Sequence, residues 1–178
     1  MDGDKTRRFE ALVLPHLDAA YNLARWLTRS DQDGEDVVQE AFLRAFRFID
    51  ALHGDSGRAW LLAIVRNTAM SWLEEGRASS ATREYDADRH AEGHTDGPES
   101  LLVRKDERGQ VNAALARLPV EFREVLILRE MEDLSYRDIA QIAAVPIGTV
   151  MSRLSRARKE FAALLRAQSC SKEKVDGR

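Results

Sequence analysis

From Ser135 to Arg166 the sequence sets out a short capped helix, a tight turn and a longer basic helix, and few folds accommodate that order. Ser135-Tyr136-Arg137-Asp138 has the form of a capping box, a serine followed three places later by an acid. Ile139, Ala140, Ile142 and Ala143 then supply an apolar helical face. The helix stops at Ala144-Val145-Pro146, and Ile147-Gly148-Thr149-Val150 opens a second one that runs to about Arg166. Val150, Leu154, Ala157, Phe161 and Leu165 form its inward stripe. Thr149, Ser152, Ser155, Arg156 and Lys159 fall on the opposite half, with Arg153 on the flank. This is the pattern of a helix-turn-helix. Arginine and lysine suit phosphates or guanine edges, and serine and threonine suit either phosphates or bases. A plain solvated basic face is the competing reading. The coincidence of the turn with the outward stripe favours DNA.

The rest of the chain is also written in helical period. Phe9, Leu12, Val13, Leu17, Ala20, Tyr21, Ala24 and Leu27 predict a first helix over 8–29. Asp33 is the expected cap of a second, over 34–50, with Val37, Val38, Ala41, Phe42, Ala45 and Ile49 facing inward. The glycine-containing stretch Ala51–Gly57 reads as a loop. A third helix over 58–76 places Leu61, Val65, Thr68, Ala69 and Trp72 on one side. Trp60, Ile64, Asn67, Ser71 and Glu74 lie on the other. The pattern fades between 77 and 99 and resumes with Leu101, Leu102, Val111, Ala114, Leu115 and Leu118 before Pro119 halts it. Phe122, Val125, Leu126 and Leu128 then mark a helix through about Met131. The fold class is all-α: two small helical domains joined by a flexible linker, the C-terminal one a helix-turn-helix. The expected limits are 1–76, a linker over 77–99, 100–167, and a tail over 168–178.

Composition narrows the function. The single cysteine, Cys170, rules out a disulfide framework within the chain and suits a reducing cytoplasm. No apolar h-region follows Met1, and no stretch approaches the roughly 20 apolar residues of a membrane span. His16, His53, His90 and His94 are scattered. His90 and His94 share helical spacing but lack a third ligand, so neither a metal nor another cofactor is expected. No nucleophile–base set or phosphate-binding glycine loop points to an enzyme. The net charge of −3 is uneven: residues 100–166 hold 12 basic and 9 acidic side chains, against 9 and 13 over 1–76. Such a chain should bind DNA weakly alone, because neutralising phosphates carries much of the affinity. A partner must supply the rest.

Five runs carry a family resemblance. Leu118-Pro119-Val120-Glu121-Phe122-Arg123-Glu124-Val125-Leu126, Leu134-Ser135-Tyr136-Arg137-Asp138-Ile139-Ala140, and the stretch from Pro146 to Arg158 closely resemble the C-terminal domain of extracytoplasmic-function sigma factors. These are bacterial subunits that direct RNA polymerase to promoters. The stretch from Asp36 to Phe46 resembles the family's polymerase-clamp-binding helix, and that from Arg58 to Asn67 its promoter-melting helix. The resemblance implies that Asp36, Gln39, Glu40, Leu43 and Arg44 meet core RNA polymerase. It implies that the loop Ala51–Gly57 and the third helix open the minus-ten element, with Arg58 and Arg66 on phosphates and Asn67 on a base edge. Trp60 has two readings, a wedge on which an unstacked base rests or a ring packed against the second helix. Thr149, Ser152, Arg153, Arg156 and Lys159 would read the minus-thirty-five element of promoter DNA. An anti-sigma factor is the expected inhibitor, received by apolar faces between the domains.

This chain departs from the family pattern at two places. Ala144 stands where a glycine is usual, at a cost of about 1 kcal/mol if the turn needs a positive φ. Met151 stands where a lysine is common, which removes one phosphate contact. Two other functions compete: a stand-alone helix-turn-helix regulator, and a sigma-like mimic that sequesters an anti-sigma protein. The first has no need of the run from Asp36 to Phe46, and the second has no need of Arg153, Arg156 and Lys159.

Overall fold

The computed structural model describes the backbone of residues 2–54, 56–79 and 98–176, and side chains within 3–54, 56–76 and 107–170. The expected linker, with His90 and His94, lies mostly outside the described residues. Eight α-helices are described and no strand among them: α1 (Asp2–Leu12), α2 (Leu17–Thr28), α3 (Asp31–Phe48), α4 (Gly57–Ser79), α5 (Pro98–Arg117), α6 (Val120–Leu126), α7 (Tyr136–Ala143) and α8 (Ile147–Asp176). Short 3₁₀ turns cover Leu14–His16 and Ile49–Ala51, and a π-helical turn covers Ile127–Met131.

The single first helix expected over 8–29 is two helices. Pro15 has no N–H to give and its ring crowds the preceding turn. The chain tightens there into the 3₁₀ turn, with His16 N–H donating to Val13 O at 3.0 Å, and restarts at Leu17. The cap of the next helix is Ser30 rather than Asp33. Ser30 is extended (φ −147°, ψ 128°), and its hydroxyl oxygen accepts from the Asp33 N–H at 3.2 Å. Asp31 and Asp33 then occupy the first turn, where the helix dipole favours acids. The last helix also continues past Arg166, to Asp176.

In the N-terminal domain α2, α3 and α4 pack on one another, with α1 laid across α3. Ala24, Leu27, Val37, Ala41, Leu61, Val65 and Ala69 are fully buried there, on the faces that the helical spacing picks out. In the C-terminal domain α8 packs on α5, α6 and α7, and Val150, Leu154 and Ala157 are buried against Val125, Leu126, Ile139 and Ile142. The turn before α8 holds Ala144 at φ 54°, the left-handed conformation that glycine adopts without strain. The two domains also dock: α4 lies against α7, and α2 against α6 and the π turn, so that their buried side chains form one continuous cluster.

Candidate nucleic-acid interface

The helix-turn-helix is built as its residue order requires. The Ser135 hydroxyl oxygen accepts from the Asp138 N–H at 3.1 Å, and the same hydroxyl donates to Asp138 Oδ2 at 2.7 Å. With its cap satisfied, the short α7 ends at Ala143, and Ala144 turns the chain into α8. On α8, Ser152, Arg156 and Lys159 are exposed, and Thr149 and Arg153 are half-buried. Arg156 and Lys159 make no ion pair among the described residues, so both cations face solvent. Arg158 is engaged instead: its Nε and Nη2 donate to Glu130 Oε1 at 3.0 and 2.7 Å, and this bond raises the guanidinium's pKa further. Met151 is also exposed, so an apolar side chain stands at the surface where a charge would suit phosphates.

A second exposed surface lies on α3. Asp36, Gln39 and Arg44 are exposed and Glu40 is half-buried, paired with Arg44 one turn on. Leu43 is 71% exposed in their midst. A leucine so placed gains nothing from the fold and offers an apolar contact ringed by charge. Phe46 and Phe48 are exposed on the same helix, which the sequence reading had not singled out.

The α4 residues are arranged differently. Asn67 is exposed, and Trp60 is half-buried with part of its ring against the core. Arg58 and Arg66, expected to be free for phosphates, are both paired with carboxylates of the C-terminal domain. Arg58 Nη2 donates to Glu132 Oε2 at 2.9 Å and to the Glu132 carbonyl at 2.8 Å. Arg66 Nε donates to Glu124 Oε1 at 2.7 Å. Neither glutamate was among the expected site residues. Glu124 carried a readable signal, since an acid between Phe122, Val125 and Leu126 sits within an apolar run. Glu132 carried none.

Glu124 is fully buried, and its Oε2 meets no hydrogen-bond donor among the described residues. Burial lifts its carboxyl above the usual range, while the bond from Arg66 and the charges of Arg66 and Arg153 pull it down and lose. A raised folded-state pKa stabilises the fold below the ordinary glutamate value, 4.5, and that contribution is lost as pH rises through the raised value. Glu124→Gln removes the titration and keeps an acceptor for Arg66. Thermal melts of Glu124→Gln from acid to neutral pH should therefore vary less with pH than wild type. Superimposable profiles would mean that Arg66 cancels the burial after all.

A capped helix-turn-helix with an outward basic face, carried beside a second helical domain, defines a DNA-binding transcription protein. Comparison with known proteins agrees and goes further. Residues 12–78 match the family model Sigma-70 region 2, and residues 108–161 match Sigma-70, region 4. The chain is 38% identical to the RNA polymerase sigma-H factor of Pseudomonas aeruginosa, over 88% of this chain and 85% of that one. It is 39% identical to the ECF RNA polymerase sigma-E factor of Escherichia coli K12, with the same coverage. Among solved structures it resembles the sigma factor RpoE of Bartonella quintana, crystallised with the anti-sigma factor NepR (TM-score 0.74, 28% identity, 89% of this chain and 96% of that one). It also resembles CnrH in complex with the cytosolic domain of CnrY (TM-score 0.65, 25% identity, 91% and 90% covered). The chain belongs to the extracytoplasmic-function group of the sigma-70 family. It is a sigma factor of transcription initiation, and the family is not one of enzymes. No helix among the described residues is long and apolar enough to cross a membrane.

Proposed function

We propose that this sigma factor works in the cytoplasm, joins core RNA polymerase through the outer face of α3, and directs it to promoters read at two elements. The observation that carries the reading is the exposure of the α3 face, with Leu43 71% exposed between Asp36, Gln39, Glu40 and Arg44. The N-terminal domain, taken as 1–76, engages the minus-ten element. Arg58 and Arg66 hold phosphates, Asn67 meets a base edge, and Trp60 supports an unstacked base. The C-terminal domain, taken as 100–167, lays α8 in the major groove of the minus-thirty-five element, with Thr149, Ser152, Arg153, Arg156 and Lys159 as contacts. The linker over 77–99 joins the two, and the polymerase fixes their spacing, which makes two weak DNA contacts act together. An anti-sigma protein holds the factor inactive, a reading supported by the anti-sigma factor NepR bound to RpoE in one of the similar solved structures.

The test is reconstituted transcription with bacterial core polymerase and a pool of promoters from the source genome. Specific initiation should require this protein. Arg156→Ala should lower it about 5- to 150-fold, the equivalent of roughly 1–3 kcal/mol for a lost base contact, and Trp60→Ala should also lower it. If no initiation appears and the protein does not bind core polymerase, the reading fails and a sigma-like mimic takes its place.

A further inference from the structure

Two large apolar side chains stand exposed at the start of α8, the longer helix of the helix-turn-helix. Ile147, its first residue, is 44% exposed, and Met151, four residues on, is 54% exposed. Neither belongs to the buried core, which Val150, Leu154 and Ala157 of the same helix join without them. Single exposed apolar residues are ordinary. These two form a pair, because residues four apart are neighbours on a helix surface. Thr149 and Ser152, two of the proposed DNA contacts, are interleaved with them in the sequence.

The flank on which they stand offers no free charge among the described residues. At about 100° per residue, Ile147, Met151 and Arg158 fall within roughly 40° of one another around the helix. Arg158 is engaged with Glu130 through two hydrogen bonds. The exposed cations Arg156 and Lys159 lie farther round. Gly148 follows Ile147 and adds no side chain, so a partner surface can come close to the backbone at this turn.

A partner for this flank must therefore bring apolar atoms rather than phosphates. In the major groove the apolar group on a base edge is the C5-methyl of thymine, and apolar side chains are what meet it. Guanine asks for the opposite, a pair of donors aimed at its two acceptors. A recognition helix sets its N-terminal residues against base edges, and Ile147 and Met151 lie in the first two turns of α8. The reach also fits. Four residues of helix rise about 6 Å, less than two steps of about 3.4 Å along a DNA strand. The pair thus covers one thymine or two neighbouring ones. Methionine suits the task, since its unbranched thioether adapts to an irregular apolar surface.

We infer that Ile147 and Met151 form a methyl-reading edge on α8, which takes the C5-methyl of thymine in the minus-thirty-five element and sets a preference there for thymine over cytosine and guanine. The inference rests on the reading of α8 as the major-groove helix of that element. Within that reading Met151 is a specificity residue, and affinity from charge is left to Arg156 and Lys159.

The probe is a promoter fragment that initiates in the reconstituted reaction. Each thymine of its minus-thirty-five region, on either strand, is replaced in turn by deoxyuridine, which pairs alike and lacks only the methyl. Binding is measured with core polymerase carrying the full chain. The change is made in the DNA, so it leaves the protein's folding untouched. At one thymine, or at two neighbouring ones, the replacement should weaken binding about fourfold, the worth of one buried methyl group. Met151→Ala should abolish that difference at one of these positions, so that thymine and uracil bind alike. Met151→Leu keeps an apolar side chain and should keep the difference. A wild type indifferent to every methyl, or a Met151→Ala variant as sensitive as wild type at every position, would overturn the inference. Arg156→Ala separates this failure from that of the underlying reading. If it still weakens binding, α8 lies in the groove and only the methyl-reading edge is lost. If it binds as wild type does while every methyl is also silent, the placement of α8 fails and takes the inference with it.

Discussion

Replacing Gly57 by alanine is expected to destabilise the chain by roughly 3 kcal/mol, the upper end for overpacking. The sign is the reverse of what a helix ordinarily returns, since alanine in place of glycine gains up to about 1 kcal/mol there. The cause is the approach of α1. A β-carbon on Gly57 would lie well inside van der Waals contact of the Leu12 carbonyl oxygen, and 2.9 Å from its carbonyl carbon. Both are backbone atoms, so no rotamer change relieves the clash, and α1 or α4 must move. Because α4 carries Arg58, Trp60, Arg66 and Asn67, the shift should also weaken minus-ten recognition. Thermal unfolding is the measurement, with Gly109→Ala as the control, since nothing lies within 4 Å of a β-carbon built there. A Gly57→Ala melt at or above wild type would mean that α1 is free to move away from α4.

The second large effect is expected in the C-terminal domain. Leu154 is fully buried in the inward stripe of α8. Leu154→Ala should cost about 2–5 kcal/mol, partly through lost transfer energy and partly through the cavity left behind. A domain of about 60 residues buries a smaller share of its surface than a larger one, and whole domains are stable by only about 5–15 kcal/mol. The helix-turn-helix should therefore lose most of its stability, and α8 its platform. Initiation at promoters that depend on the minus-thirty-five element should disappear, while binding to core polymerase through α3 persists. Leu154→Met conserves volume and should cost less than about 1.5 kcal/mol. Urea unfolding followed by transcription separates the two variants. A wild-type unfolding midpoint for Leu154→Ala would show that the stripe is not packed as described.

Legibility followed the range of the forces involved. The helix-turn-helix was readable because each of its parts is local: a cap three residues from its acid, a stripe at helical spacing, a turn of three residues. The buried sides of α3 and α4 were readable for the same reason, and Thr68, a polar residue on the buried side, was placed there correctly. The break at Pro15 was equally local. It was passed over because the apolar repeat runs through it, and a repeat of inward faces does not require an unbroken helix. Ser30 lost out to Asp33 as cap because both are good capping residues three positions apart. What could not be read was the seam between the domains. Arg66 and Glu124 are 58 residues apart, and Arg58 and Glu132 are 74 apart. No local period records such a meeting. The sequence marked the arginines as cations suited to phosphate, and only the fold shows which anions hold them in the free chain.

The π-helical turn at Ile127–Met131 works as a spacer that aims two carboxylates in different directions. Its wide loop is closed by Glu132 N–H donating to Ile127 O at 3.1 Å, five residues back. Glu130 turns toward Arg158 in its own domain, while Glu132, two residues later, reaches Arg58 in the other. Removing one residue from the turn would restore α-helical register and swing everything after it by about 100°. Glu132 would lose its line to Arg58, and Leu134, whose N–H now bonds Leu128 O at 3.1 Å, would lose its seat. The length of this one turn thus acts as an indexing pin between the halves of the molecule, set by the count of its residues.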